Sequence, residues 1–152
     1  MTAAPTATDA SDTLSIIRQF KAKRDRVFAA FTTFETMAEW FGPPGCNVKG
    51  GSVDFRIGGA YQMRITMPDG EAVVGGQYRE IAPPDRLVFT WKWEDDEDWT
   101  NLESVVTLEF LAKGDETELR LTQTGFPSSE SCGRHQFGWS GCFDKLEVLF
   151  AA

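Results

Sequence analysis

The chain has 152 residues, of which 41% are hydrophobic, and a formal net charge of -8 at pH 7. A chain of this length and apolar content predicts one packed domain instead of disorder. The negative charge argues against binding to nucleic acid, and no apolar run reaches the length of a membrane span, so membrane insertion is not expected.

The N-terminal residues and the cysteines predict where the protein works. Residues 1–12 are rich in Ala and Thr and are interpreted as a disordered tail before a single domain of residues 13–152. The start lacks the basic residues and apolar run of a signal peptide. Three cysteines are too few, and odd in number, for a disulfide framework. These features predict free thiols in a cytoplasmic protein.

The first elements are one strand and two short helices. Residues 13–21 have extended character and predict a strand. Apolar residues at helical spacing then predict a helix over 25–34. A second short helix over 35–41 ends at Gly42-Pro43-Pro44-Gly45, because proline cannot continue a helix.

Alternating patterns predict about six antiparallel strands in the middle of the chain. Residues 61–67 have a period of two, and Asp69-Gly70 favours the centre of a type I′ turn. Gly75-Gly76 predicts a bulge or bend in the next strand. With that turn, the expected register pairs Met67 with Ala72, Ile65 with Val74, Met63 with Gly76 and Tyr61 with Tyr78.

The later strands include the most aromatic face of the sheet, at Phe89, Trp91 and Trp93. The acidic run 94–98 follows and is interpreted as a solvated loop that protects a sheet edge, because consecutive carboxylates point apart and do not converge on a metal. No zinc spacing or phosphate-binding loop is present in the sequence. We therefore predict neither a metal nor a cofactor.

The last element is an amphipathic helix from Ser129 to Phe150, about 33 Å long. His135, the only histidine, lies on its apolar face one turn before Trp139, whereas Phe137 does not fit that face. An antiparallel sheet followed by one long amphipathic helix predicts an α+β fold in which a curved sheet of 6–7 strands wraps around the helix. The two short helices follow the first strand.

Several motifs occur in an order that resembles a known family: Trp40-Phe41-Gly42, Gly58-Gly59, Pro68-Asp69-Gly70, the run from Pro84 to Trp91, Gly125-Phe126, and His135 followed by Gly138-Trp139. Over about residues 13–150 the chain resembles the bacterial single-domain branch of the heat-shock-protein-90 ATPase activator-like family. This branch is part of the SRPBCC superfamily, also called START-like, helix-grip or Bet v-like.

The resemblance implies a hydrophobic cavity between the sheet, the last helix and the two short helices. Relatives on this fold bind lipids, sterols or aromatic polyketides, or act as cyclases and dehydratases. The family name is not taken as a function, because the co-chaperone that supplies it carries a separate N-terminal domain, and only about twelve residues precede the first predicted strand here.

The candidate ligand-binding residues are mainly large aromatic or aliphatic side chains on inward-facing positions. Such side chains with a few polar tips are typical of small-molecule pockets, although the same residues can simply fill a core. The predicted walls are Trp40, Met63, Ile65, Tyr78, Phe89, Trp91, Trp93, Val106, Leu108, His135, Trp139 and Phe143.

His135 has three alternative roles: a proton donor in catalysis, a ligand contact or a structural side chain. Its place on the apolar face predicts partial burial and a lowered pKa. Catalysis needs a second positioned group, for which Tyr78, Gln123 and Arg64 are the candidates.

The sequence favours a small-molecule binding protein for an apolar or aromatic ligand over an enzyme. The alternatives are a cyclase, dehydratase or hydrolase with His135 as its catalytic residue, and a stress-related protein that contacts a chaperone. The chaperone partner is the less favoured of these, and a surface apolar patch at Phe126 and Phe137 would support it. A homodimer is left open.

Overall fold

The computed structural model describes residues 13–151, so the predicted tail of residues 1–12 lies outside the described residues. Seven strands, two short helices, a 3-10 turn and a long C-terminal helix follow one another along the chain. Their bounds are β1 Leu14–Phe20, α1 Arg24–Ala29, α2 Phe34–Ala38, β2 Asn47–Val53, β3 Ala60–Met67, β4 Gly70–Ala82, β5 Arg86–Trp93, the 3-10 turn Glu97–Trp99, β6 Ser104–Lys113, β7 Glu116–Thr124 and α3 Ser129–Ala151.

The strands form one antiparallel sheet in the order β1-β7-β6-β5-β4-β3-β2. Alternate residues of each strand are buried, as at Tyr61, Met63 and Ile65 of β3, so the sheet has one apolar face. This face curves around α3, which confirms the predicted helix-grip fold.

The two short helices are shorter than predicted, with six residues in α1 and five in α2. Thr33 has an extended backbone, with φ -132° and ψ 157°, so the first helix cannot continue through it. Its hydroxyl oxygen accepts a hydrogen bond from the Thr36 backbone N–H at 3.1 Å and caps α2.

The predicted register of the β3–β4 hairpin is wrong by two residues. Met67 pairs with Gly70, so Pro68 and Asp69 occupy the turn instead of Asp69 and Gly70. Proline favours the first central position of a turn, because its ring holds φ near the value required there. The shift is even and the inward face is therefore unchanged, with Val74 and Tyr78 buried as expected.

The irregularity expected at Gly75-Gly76 lies further along the strand. The β4–β5 register shifts between Tyr78 and Glu80. Gly76 has a different role, because a Cβ there would lie 2.0 Å from the carbonyl oxygen of Thr90. The glycine thus lets the backbones of β4 and β5 approach closely.

The long helix α3 is held at its C-terminal half by β1. Phe20 packs edge-on against Phe143 and Phe150, with ring centroids 5.9 and 5.6 Å apart. The Arg18 guanidinium lies 2.9 Å from the Asp144 carboxylate. No helix within residues 13–151 is both long and apolar enough to cross a membrane.

Candidate functional site

An open groove of about 1270 Å³ lies beside the N-terminal half of α3. Its other walls are the loop after α2, the hairpin end of β3 and β4, the last residues of β5 and the acidic loop. We refer to it as the groove, lined by residues 41–44, 46, 65, 67–68, 71–73, 91, 93–99, 130–131, 133–135, 137–139 and 142.

Aromatic rings form the inner wall of the groove. Trp91 on β5 packs against Trp139 on α3, with ring centroids 5.0 Å apart, and the Phe41 ring lies 5.8 Å from Trp91 and 6.3 Å from Trp139. Trp93 meets Trp91 edge-on at 5.7 Å. The wall thus consists of rings from the sheet, the helix and the loop after α2, which is typical of sites for apolar molecules.

His135 is held by two hydrogen bonds that define its protonation. The Trp93 indole N–H donates to His135 Nε2 at 2.8 Å, so Nε2 must be unprotonated. His135 Nδ1 lies 2.7 Å from the Ser131 carbonyl oxygen and must carry the hydrogen, since a carbonyl only accepts. Burial lowers the pKa of His135, in keeping with a neutral imidazole, although the Ser131 bond opposes that shift.

A buried chain of polar groups fastens α3 to the sheet behind the groove. The Trp139 indole N–H donates to the Gln123 amide oxygen at 2.8 Å, and the Gln123 amide nitrogen donates to Ser104 Oγ at 2.9 Å. The Ser104 hydroxyl donates to the Trp91 carbonyl oxygen at 2.8 Å. Gln123 is fully buried. Its two polar atoms are therefore committed to positioning Trp139 and are not available to a reaction.

Three buried polar atoms of the described residues have no hydrogen-bond partner: Tyr78 Oη, Trp91 Nε1 and Ser131 Oγ. Buried polar groups are nearly always paired, so each needs a reason. Trp91 and Ser131 both line the groove, with 4% and 1% of their surfaces exposed. The wall of the groove therefore contains an unpaired indole N–H and an unpaired hydroxyl group.

The loop after α2 is fastened to the middle of α3. A Cβ at Gly141 would lie 2.7 Å from Cβ of Pro43, so only glycine allows this close approach. The Lys145 ammonium donates to the Gly42 carbonyl oxygen at 2.9 Å, and the Gly42 N–H donates to Cys142 Sγ at 3.2 Å.

The Cys142 thiol in the groove wall is a weak nucleophile. Burial raises the pKa of Cys142 to about 12, so it is a neutral thiol at physiological pH and a weak nucleophile. Within the described residues, Cys46, Cys132 and Cys142 form no disulfide, as expected, and all three are buried.

The twelve predicted wall residues fall into three groups. The groove is lined by Ile65, Trp91, Trp93, His135 and Trp139. A small enclosed space elsewhere in the core is lined by Tyr78 and Phe89. Neither space is lined by Trp40, Met63, Val106, Leu108 and Phe143, which are fully buried among other core side chains.

The enclosed space has a volume of only about 10 Å³, comparable to a single water. Between the sheet and the C-terminal half of α3, Val106, Leu108 and Phe143 are fully buried, so side chains pack this part of the interior. Room for a larger guest lies in the groove, at the open end of the sheet–helix interface.

Sequence reasoning missed several groove residues. Trp99 lies in the acidic loop yet is buried against Phe126 and His135, with centroid distances of 6.4 and 5.6 Å. A tryptophan directly after the charged run was the available signal. Phe137 lines the groove with 77% of its surface exposed, which accounts for its poor fit to the buried stripe. Phe126 is buried, so the two do not form a surface patch.

Arg64 and Tyr78, the remaining candidates for a catalytic partner of His135, do not lie beside its imidazole. Arg64 is exposed on the outer face of β3, and Tyr78 lies at the enclosed space. In the described part of the chain no group of three potential ligands could hold a metal ion. The groove combines aromatic walls with two unpartnered polar groups.

The comparisons with known proteins agree with the fold and the motifs. No curated protein matches the sequence. Among solved structures, a protein of Chromobacterium violaceum is 25% identical with a TM-score of 0.81, over 93% of this chain and 98% of that chain. The AHSA1 protein of Silicibacter pomeroyi is 26% identical with a TM-score of 0.79, over 91% and 97%. A protein of Rhizobium loti is 29% identical with a TM-score of 0.73, over 90% and 94%.

A family model matches most of the chain. It is described as Activator of Hsp90 ATPase homolog 1-like protein and matches residues 21–151. The resemblance inferred from the motifs is thereby confirmed. The chain belongs to the Activator of Hsp90 ATPase homolog 1-like family, on the START-like fold.

Proposed function

We propose that this protein binds an apolar or aromatic small molecule in the groove between the sheet and the N-terminal half of α3. The observation that carries the proposal is the groove itself, whose 1270 Å³ is walled by Trp91, Trp93 and Trp139. Drug-sized ligands occupy sites of about 300–1,000 Å³, so the space is sufficient. Proteins of this fold family commonly bind hydrophobic ligands, which supports the same conclusion.

Different groups of the groove would make the hydrophobic contacts and the polar contact with the ligand. The tryptophan rings offer apolar surface, and each ring buried by a ligand contributes in proportion to the area removed from water. The Trp91 indole N–H is the polar contact that we assign, because it is unpartnered. His135 is not, since both of its nitrogens already have partners. A ligand with a ketone or similar acceptor fits this arrangement.

The enzyme alternative receives less support from the same geometry. General acid–base catalysis requires a titratable group within reach of the substrate and free to transfer a proton. His135 donates Nδ1–H to Ser131 and accepts at Nε2 from Trp93. Protonation of Nε2 would break the Trp93 bond. We therefore assign His135 to positioning of the groove wall.

A helix substitution tests the site. Gly138 lines the groove, and a Cβ there meets nothing within 4 Å. Gly138→Leu should project a side chain into the groove while raising helix propensity by roughly 1 kcal/mol. Gln136→Leu is the matched control, because Gln136 is exposed on the same helix and does not line the groove.

The probe is prodan, a neutral naphthalene that carries a ketone and whose emission reports the polarity around it. Wild-type protein and Gln136→Leu should bind prodan saturably with a blue shift. Gly138→Leu should weaken binding by about tenfold or more, which corresponds to about 1.4 kcal/mol. Equal binding by Gly138→Leu, or no saturable binding by the wild type, would refute the proposal.

A further inference from the structure

The rim of the groove is strongly acidic. Among residues 13–151, seven carboxylate side chains line it, those of Glu71, Glu130 and the run 94–98, and Arg134 is the single basic lining residue. Arg134 is already paired with Glu130, at 2.8 Å. These lining residues carry a formal charge of -6, most of the -8 of the whole chain. We call these seven carboxylates the acidic rim.

The acidic rim does not have the arrangement of a metal site. Its run 94–98 consists of consecutive residues, whose side chains diverge. Within residues 13–151, no set of three His, Cys, Asp or Glu side chains could hold a metal ion. An organic cation does not need converging ligands, because the summed negative potential of the surrounding carboxylates attracts its charge.

The wall of the groove contains unpaired polar groups and a tryptophan next to the acidic rim. Trp91 Nε1 and Ser131 Oγ are buried without partners, as described above. Trp93 directly precedes the acidic run and is half-buried, so its ring lies at the boundary between the apolar wall and the charged rim. A cation over the face of a tryptophan is stabilised by the ring quadrupole. The aromatic wall and the acidic rim are thus adjacent where β5 ends at Trp93.

We propose that the ligand of the groove is a cationic amphiphile, with an aromatic or apolar body among the tryptophans and a protonated amine or quaternary ammonium at the acidic rim. This inference rests on the proposed function and adds the charge of the ligand to it. The body carries an acceptor for the Trp91 N–H. The negative rim repels anionic ligands of the same shape, such as fatty acids or aromatic carboxylates, and so sets specificity by charge.

The test uses three probes with one ring system, namely naphthylmethylammonium, naphthylmethanol and naphthoate, each in competition with prodan. At low ionic strength the ammonium probe should bind about tenfold more tightly than naphthoate, with the neutral alcohol between them. The preference should fall as salt is added, because exposed carboxylates are screened.

A variant of the acidic rim tests which charges cause the preference for the ammonium probe. Asp95→Asn/Glu97→Gln/Asp98→Asn removes three charges and keeps Asp96, whose carboxylate accepts from the Asp98 backbone N–H at 3.0 Å. Asparagine suits position 95, where φ is +56°. The variant should reduce the ammonium preference to about twofold or threefold.

A charge-matched control distinguishes the effect of the rim carboxylates from the effect of the net charge of the protein. Glu35→Gln/Glu39→Gln/Glu116→Gln also removes three exposed carboxylates, none of which lines the groove. It should keep the full ammonium preference. If prodan binds but the three probes compete equally, or naphthoate competes best, the charge inference is overturned and the proposed function remains. A control that loses the preference as fully as the rim variant also overturns it. If prodan does not bind, the proposed function itself fails.

Discussion

Replacing Trp93 with phenylalanine tests the assignment of His135 to positioning. The change removes the indole N–H that donates to His135 Nε2 at 2.8 Å and keeps an aromatic ring on β5. A hydrogen bond contributes about 1 kcal/mol net, and the half-buried acceptor left unpaired adds about 1 kcal/mol more. The free energy of unfolding should therefore fall by about 2 kcal/mol, which lowers Tm by about 5 °C for a domain of this size.

The pKa of His135 should rise in Trp93→Phe, because the lost bond was one that only the neutral ring accepts. In the wild type, burial lowers the folded-state pKa below the unfolded value. Stability from this group is then fully present above about pH 6.5 and is lost as pH falls from there through the folded pKa. The variant should show a smaller loss over the same interval.

The assay is long-range proton–nitrogen NMR of the imidazole, which is unambiguous because His135 is the only histidine. The wild type should show a neutral ring protonated at Nδ1 at pH 7. A ring protonated at Nε2, or an imidazolium at pH 7, would refute the reasoning, as would an unchanged pKa in the variant.

Trp99→Phe is the matched control for the size of the side chain. The Trp99 ring lies 5.6 Å from His135, but Trp93 is the donor to Nε2. Trp99 is buried, so its truncation should lower Tm as well. The tautomer and pKa of His135 should nevertheless stay close to those of the wild type.

Two further substitutions and one control test the parts that hold α3 in place. Gln123→Ala leaves the Trp139 indole N–H without its acceptor in the core, so the free energy of unfolding measured with urea should fall by about 3 kcal/mol. Gly141→Ala places a Cβ 2.7 Å from Cβ of Pro43; thermal unfolding should show a net loss of about 1 kcal/mol, and prodan should bind more weakly. Gly133→Ala, where a Cβ meets nothing within 4 Å, should instead gain about 1 kcal/mol.

The fold follows from patterns that act over short distances. The alternation at Tyr61, Met63 and Ile65 predicted the buried face of β3 correctly, because successive side chains in a strand point to opposite sides. The register failed because it depends on one turn, and Pro68 took the first central position, which the sequence pattern had assigned to Asp69. An error in register leaves the same residues on the buried face of the strand when the shift is an even number of residues.

The site depends on distances that no local pattern encodes. The bond between Trp93 and His135 joins residues on different elements, and it depends on where α3 crosses β5. The sequence likewise identified bulky inward side chains without indicating which of them interdigitate. Met63 and Phe143 are fully buried in the core, whereas Trp91 lines the open groove.

The five indole N–H signals of the tryptophans test the central claim most directly. Trp91, Trp93, Trp99 and Trp139 line the groove, whereas Trp40 is buried elsewhere and donates to the Ala30 carbonyl oxygen at 3.0 Å. On titration with prodan, proton–nitrogen NMR should show saturable shifts of the groove indoles, largest for Trp91, with the Trp40 signal unmoved. Shifts confined to Trp40, or no saturable shift of any groove indole, would contradict the account.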